Sequence, residues 1–454
     1  MKKRNLSKRF MVITLAGTMM FSVALTGCGQ DKKKSSGSNN KKTVSDENKK
    51  TSNNNTGKND SQSEYDLGKV VEEGNLNDDI KWAIDEKNVL VISGSGSMPD
   101  YLQMERESIP WYEYRNKISS IIIEKGITDI GDNVFSLSKN VENVSLPDNL
   151  KRIGEFAFAD CECLKDINIP KSVTNIEKGA FEKCSSLTDV KIPEGITGIL
   201  DSTFYGCTKL TSVDIPETVT SIGESVFYDC KNLESISISA NITEIGCAAF
   251  AGCEKLTNID IDSENSEFSF KDGILYDKQE TTLLWYPIAG KEDFSLPDNV
   301  TTIGEGACEK CSNLTNIKIP DNITTIEDGA FMECPNLTDV TISDSVKTIG
   351  SAIFLRCSSL KNVTFSSGVT TISDSMLASC NAITDFIISD GVTDIDKYAF
   401  NACIKLNSVT IPESVTNIDS TAFDNCVNFT TIYGKAGSYA EKFANENGIA
   451  FVSN

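Results

Sequence analysis

Leu210-Thr-Ser-Val-Asp-Ile-Pro-Glu-Thr-Val-Thr-Ser-Ile-Gly-Glu-Ser-Val-Phe-Tyr-Asp-Cys230 states a pattern that returns every 23 residues through most of the chain. In general form it reads Leu-x-x-Val-x-Ile-Pro, a turn, Val-Thr-x-Ile-Gly, then Ala-Phe-x-x-Cys. Its cysteine falls at 161, 184, 207, 230 and 253, and again at 311, 334, 357, 380, 403 and 426. Every step is 23 residues except 253 to 311, which is one repeat plus 35 residues. Ser138 holds the cysteine slot one period earlier, giving twelve copies. A fixed period of this length is the mark of a solenoid.

The physics of one copy follows from side-chain alternation. Leu-x-x-Val-x-Ile places Val and Ile on one face of a short strand and the residue between them on the other. Pro then ends the strand, because it cannot donate to a ladder. Val-Thr-x-Ile-Gly reads as a second extended stretch, and Ala-Phe-x-x-Cys as a tight return of one helical or 3₁₀ turn. One copy cannot hide its own apolar face, whereas stacked copies bury a continuous core.

Composition narrows the function. The chain has 454 residues and a formal net charge of -22. Residues 1–64 hold 13 basic and 5 acidic residues, leaving 30 basic and 60 acidic in the remainder, a balance of -30. A body so acidic repels phosphate backbones, which argues against nucleic-acid binding. The sequence contains no histidine. A Ser-His-Asp or Cys-His relay, an imidazole metal ligand and an imidazole pH switch are therefore impossible. An envelope hydrolase would need two carboxylates converging in a cleft, but the repeat spreads its acidic residues over many turns. The reading is a non-enzymatic protein with no cofactor and no metal. Asp260-Ile-Asp-Ser-Glu264 lacks an EF-hand pattern.

The first residues read as an address. Lys2, Lys3, Arg4, Lys8 and Arg9 form a cationic start, 10–25 an apolar stretch, and Leu25-Thr-Gly-Cys28 follows. This is a signal-peptide layout. Leu-Thr-Gly-Cys resembles the lipobox of bacterial lipoproteins, which implies lipidation of Cys28 after removal of residues 1–27. Residues 28–64 are almost free of apolar side chains and cannot offset their ordering entropy, so they read as a disordered tether. As a flexible coil it spans roughly 30–35 Å.

Leu-x-x-Val-x-Ile-Pro at this period resembles the BspA-like leucine-rich repeats of bacterial surface proteins, over residues 127–433. The resemblance implies a β-rich solenoid, a right-handed superhelix of about twelve coils, with capped ends. Gly94-Ser-Gly-Ser-Met-Pro-Asp-Tyr101 and Ile109-Pro-Trp-Tyr112 are similar to that family's N-terminal cap, here 65–126. The first repeat block is 127–262, an interruption occupies 263–292, and the second block is 293–433. Residues 434–454 read as a helix-strand cap. Known members are described as adhesins and host-protein binders, so the resemblance implies a surface interaction module.

Four sets of residues are candidates for function. The ladder cysteines, Cys161, Cys184, Cys207, Cys230, Cys253, Cys311, Cys334, Cys357, Cys380, Cys403 and Cys426, read as small buried apolar side chains. Their Cβ vectors run parallel, against the geometry of a disulfide. Cys308-Glu-Lys-Cys311 matches Cys-x-x-Cys, but Cys308 occupies a phenylalanine slot of the repeat and no thioredoxin-like context surrounds it. In the interruption, 268–277 and 281–287 alternate apolar and polar about Lys278-Gln-Glu280, which reads as one β-hairpin. Its Tyr276, Trp285 and Tyr286 are candidate anchors, and Trp285 reads equally as a cover for the core where the stack is disturbed. Finally, the exposed central column of the strands includes Lys191, Asp214, Lys318, Thr341, Thr364, Ile387 and Thr410, with Asp385 and Ser408 in the column beside it. The expected function is a cell-surface lipoprotein that binds a protein through the repeat surface, as a monomer. The alternative is a glycan or cell-wall-polymer binder using the aromatic hairpin.

Overall fold

In the computed structural model each 23-residue repeat closes into one coil, and residues 67–288 and 294–454 are described. The signal segment, Cys28 and the tether lie outside the described residues.

Most coils contribute two short strands, which pair in parallel with their counterparts one repeat on over runs of two to four rungs. In the broad column Asp189–Lys191 pairs with Ser212–Asp214, and Asn316–Lys318 with Asp339–Thr341 and Asn362–Thr364. The middle residue, Val190, Val340 or Val363, is buried while its neighbours face solvent, as period-two alternation requires. The second column stacks the Val-Thr-x-Ile segments, as in Thr302–Ile303, Thr325–Ile326 and Thr348–Ile349.

The solenoid has about fourteen turns, more than the twelve copies counted on the cysteine slot. Thr431–Gly434 and Ala450–Ser453 lie outside that count, for they pair in parallel as rungs beyond the last cysteine slot at Cys426.

The third side corrects the expected 3₁₀ turn. Its backbone alternates between two kinds of partner. Phe181 N donates to Thr203 O on the next coil at 3.0 Å, and Lys183 N to Tyr205 O at 2.6 Å. The residues between bond within their own turn, Glu182 N to Gly179 O at 2.9 Å and Cys184 N to Phe181 O at 3.1 Å. The alternation needs residues of left-handed conformation. The residue before each ladder slot has φ between 55° and 73° at Asp160, Lys183, Gly206, Asp229, Gly252, Lys310, Glu333 and Arg356. Only two of those eight are glycine, so stacking holds ordinary side chains where isolated turns favour Gly.

An aromatic ladder fills the core of the first block. Phe135, Phe158, Phe181, Phe204, Phe227 and Phe250 stack with ring centroids 5.3–5.9 Å apart and planes within 20°. Trp111 stacks on Phe135 at one end, with Trp82 edge-on behind it. Trp285 closes the other end, edge-on to Phe250 at 6.2 Å.

The ladder cysteines lie beside these rings as free thiols, buried except for the partly exposed Cys426. Each Sγ donates to the carbonyl of the ring-slot residue one coil back: Cys184 to Phe158 at 3.2 Å, Cys207 to Phe181 at 3.2 Å, Cys380 to Phe354 at 3.1 Å. Cysteine thus adds a weak hydrogen bond to its small apolar bulk. Cys308 stands in the ring slot of its coil, and its carbonyl accepts from Cys334 at 3.1 Å.

The interruption is a three-stranded meander where one hairpin was expected. Phe268–Lys271 pairs antiparallel with Ile274–Asp277, which pairs with Thr282–Trp285. The missed turn is Asp272-Gly273, with φ of 53° and 80°. Positive φ at both central residues is what a two-residue hairpin turn demands, and Asp-Gly is its sequence signal. Thr282–Trp285 then re-enters the second column beside Thr302–Ile303. The apolar core divides here into two clusters, with Phe250, Leu275 and Trp285 in the first and Tyr276, Tyr286 and Ile303 in the second.

At the C-terminal end the helix Tyr439–Asn447 stops at Gly448, left-handed at φ 68°, and lays Phe443 and Ala444 over the last coils. Ala450–Ser453 adds the final parallel rung.

Two predictions follow from this core. Phe204→Ala removes a ring stacked on both faces and is expected to cost roughly 3–5 kcal/mol; urea unfolding monitored by circular dichroism checks it, and a cost below about 1 kcal/mol would mean the ring stack is dispensable. Burial pushes the Cys184, Cys230 and Cys334 thiols well above their ordinary 9.0. The unfolded chain therefore releases thiol protons that the folded chain keeps, and stability must fall as pH rises above that ordinary value. Unfolding midpoints at pH 7 and pH 10 test this: the fall should shrink when Cys184, Cys230 and Cys334 are replaced by Ala.

Candidate interaction surface

The aromatic residues of the interruption are placed inside the protein. Tyr276 is 1% exposed, Trp285 4% and Tyr286 0%. The Trp285 indole N–H donates to Phe250 O at 3.1 Å, taking the carbonyl that a cysteine thiol takes in the regular coils. Tyr286 O in turn accepts from Cys311 Sγ at 3.4 Å. These rings plug the stack where a repeat is missing, and they offer no face on which a sugar could stack. The reading of this hairpin as a glycan platform is therefore corrected.

A polar knot ties the two blocks together across the same irregularity. Lys310 Nζ lies 2.6 Å from Asp229 and 3.6 Å from Glu333, and Arg356 reaches Glu333 at 2.9 Å. Tyr228 OH donates to Glu309 at 2.9 Å. Gly252 lies between Asp229 and Lys310, where a Cβ would come within 2.4 Å of Asp229 Oδ1. These groups satisfy one another and serve as a staple.

The remaining candidates lie on the broad column, whose two halves differ in chemistry. In the first block Lys191 and Asp214 are register partners and pair at 2.8 Å, so each neutralises the other. In the second block the column runs through Lys318, Thr341 and Thr364, in register on three rungs. Lys318 makes no ion pair among the described residues. Beside Thr341, Asn362 donates to Asp339 at 2.7 Å, and that bond holds the Asp339 carboxyl below its ordinary range. Ser408, expected to be exposed, is buried and donates to Asp385 at 2.6 Å.

The column then turns apolar. Ile387, Thr410, Tyr433 and Val452 are register partners on four successive rungs. Ile387 is 72% exposed, Tyr433 37% and Val452 43%. Tyr433 keeps the 23-residue step from Thr410, whereas Val452 escapes the repeat count because its rung follows after 19 residues. Only the pairing of the cap strands reveals that Val452 extends the same stripe.

Among the described residues no helix is long and apolar enough to cross a membrane. The solenoid fold of these repeats is generally a non-enzymatic binding module.

The comparisons agree on this architecture. A leucine-rich cell surface protein from Faecalibacterium prausnitzii is 29% identical, over 86% of this chain and 99% of its own, with a TM-score of 0.55. A leucine-rich repeat protein from Eubacterium ventriosum is 26% identical over 79% of this chain and 95% of its own, again with a TM-score of 0.55. No curated protein matches the sequence. The family model for the BspA type leucine-rich repeat region matches residues 108–230, 177–275, 289–403 and 378–441. Since those matches span well over half of the sequence, the chain belongs to the BspA type leucine-rich repeat family.

Proposed function

We propose that this protein is a lipid-anchored, monomeric surface adhesin that captures a protein partner on the second-block half of its broad column. Cys28 would carry the lipid, residues 28–64 the reach, and the solenoid the contact surface. The observation that carries this reading is the in-register stripe Ile387, Thr410, Tyr433 and Val452. Aliphatic and aromatic side chains that stay exposed on a rigid sheet are what interface centres are made of, with tyrosine prominent among them. Stacked parallel rungs hold the four positions without an ordering cost at binding.

Charge selects the partner. With 60 acidic and 30 basic residues beyond position 64, the body steers a basic protein surface toward itself. Arg-rich and Lys-rich contact surfaces on the partner complete the rim around the stripe.

Two measurements check the reading. Full chain on a sensor surface should capture basic matrix or envelope proteins, and Ile387→Asp with Tyr433→Ser should weaken capture by at least about tenfold, equivalent to about 1.4 kcal/mol. Wild-type affinity in the doubly substituted chain would contradict it. The association rate with the captured protein should fall steeply between low and physiological salt, while dissociation changes little; a salt-independent association rate would remove charge steering from the account.

A further inference from the structure

Beside the apolar stripe the turns of the second block open a groove of about 580 Å³ over the rungs of Lys318, Thr341 and Thr364. Its origin is legible in the repeat. The residue that follows the first strand is proline at 147, 170, 193, 216, 297, 320 and 412 and serine at 239, 343, 366 and 389, so only the second block sets serines there on three consecutive coils. The turn itself is unchanged: Val346 N donates to Ser343 O at 3.1 Å as Ile323 N does to Pro320 O at 3.1 Å. What changes is the lining, since each replacement removes ring carbons and adds a hydroxyl.

The core differs at the same place. Phe365 and Phe386 occupy core slots of adjacent coils that hold isoleucine and valine elsewhere, and their rings meet edge-on at 6.4 Å. The broad column's ladder is interrupted between Asn362–Thr364 and Asp385–Ile387, as it also is between Ser212–Asp214 and Ser235–Ile238.

The groove is therefore lined by hydrogen-bonding groups. Ser343 Oγ donates to Asp321 at 2.6 Å, and Ser367 N donates to Asp344 at 3.2 Å. Ser366 is 7% exposed, and its Oγ, like that of Ser239 in the same slot of the first block, has no partner among the described residues. Phe365 is 5% exposed, so no open ring or apolar pocket is available to seat a protein side chain.

We propose that this groove binds an uncharged, hydroxyl-rich oligosaccharide running across the rungs. Serine and threonine hydroxyls donate and accept alike, as sugar hydroxyls do, and the Asp321 and Asp344 carboxylates accept from them. Lys318 supplies a donor at the near end. A linear glycan repeats along its length at close to the rung spacing, so successive sugars fall beside successive rungs. The excess of 60 acidic over 30 basic residues disfavours a polyanionic glycan. This site is separate from the buried hairpin rings, and it rests on reading the broad column as the contact face.

The test is native gel electrophoresis of the full chain in gels containing mixed-linked β-glucan, xylan, galactomannan or hyaluronate. At least one neutral polysaccharide should retard it, and hyaluronate should not. Ser343→Pro with Ser366→Pro restores the repeat's own residue at both turns. That chain should keep its melting temperature and lose retardation by at least tenfold. Thr341→Val with Thr364→Val, which leaves the turns intact, should weaken retardation as well. Retardation by none of the neutral polysaccharides overturns the proposal, as does full retardation of the proline pair. Loss of protein capture by the proline pair, with polysaccharide retardation untouched, also overturns it. If Ile387→Asp with Tyr433→Ser loses protein capture yet is still retarded, the two sites are separate and the glycan site stands.

Discussion

A 23-residue coil cannot bury its own apolar face, and every other feature of this protein follows from that constraint. Two strands and a return leave Val, Ile, Leu and Phe on one side of a ring too small to close over them. Only the next coil can cover them. The backbone accordingly directs its hydrogen bonds outward to the neighbouring coil, at both strand columns and at alternate residues of the third side. The phenylalanine stack and the thiol-to-carbonyl bonds are the same solution in side chains.

The constraint also fixes what evolution can alter without loss of the fold. Core slots must stay apolar and near one size, so variation collects on the outward positions of the rungs and in the turns between columns. Lys191 and Asp214 neutralise each other on one half of the face, while Ile387, Tyr433 and Val452 stand uncovered on the other. A solenoid turns sequence differences at one repeat position into a spatial stripe. That is how a chain without histidine acquires a chemically distinct surface.

The period, the strand alternation and the role of the cysteine slot were legible because each is stated many times over. The Asp272-Gly273 turn was equally visible as a hairpin signal, yet the stronger alternation on either side of Lys278-Gln-Glu280 drew the reading to one hairpin. The alternating left-handed backbone of the third side left no trace, because Lys183, Asp229 and Glu333 adopt it only when neighbouring coils supply the bonds. The burial of Trp285 was not decidable from composition, since an exposed anchor and a core plug use the same residue. Val452 was hidden by a change of spacing in the cap.

The central claim is that contact is made on the second-block half of the broad column. Photo-crosslinking scanned along that column tests it most directly, with a crosslinking residue placed in the full chain at Asn168 or Ser237, the exposed central-column positions of two first-block coils, or at Thr341, Ile387 or Tyr433, and exposed to captured partner. The account predicts crosslinks from Ile387 and Tyr433 and none from Asn168 or Ser237. Crosslinks confined to Asn168 and Ser237 would contradict it.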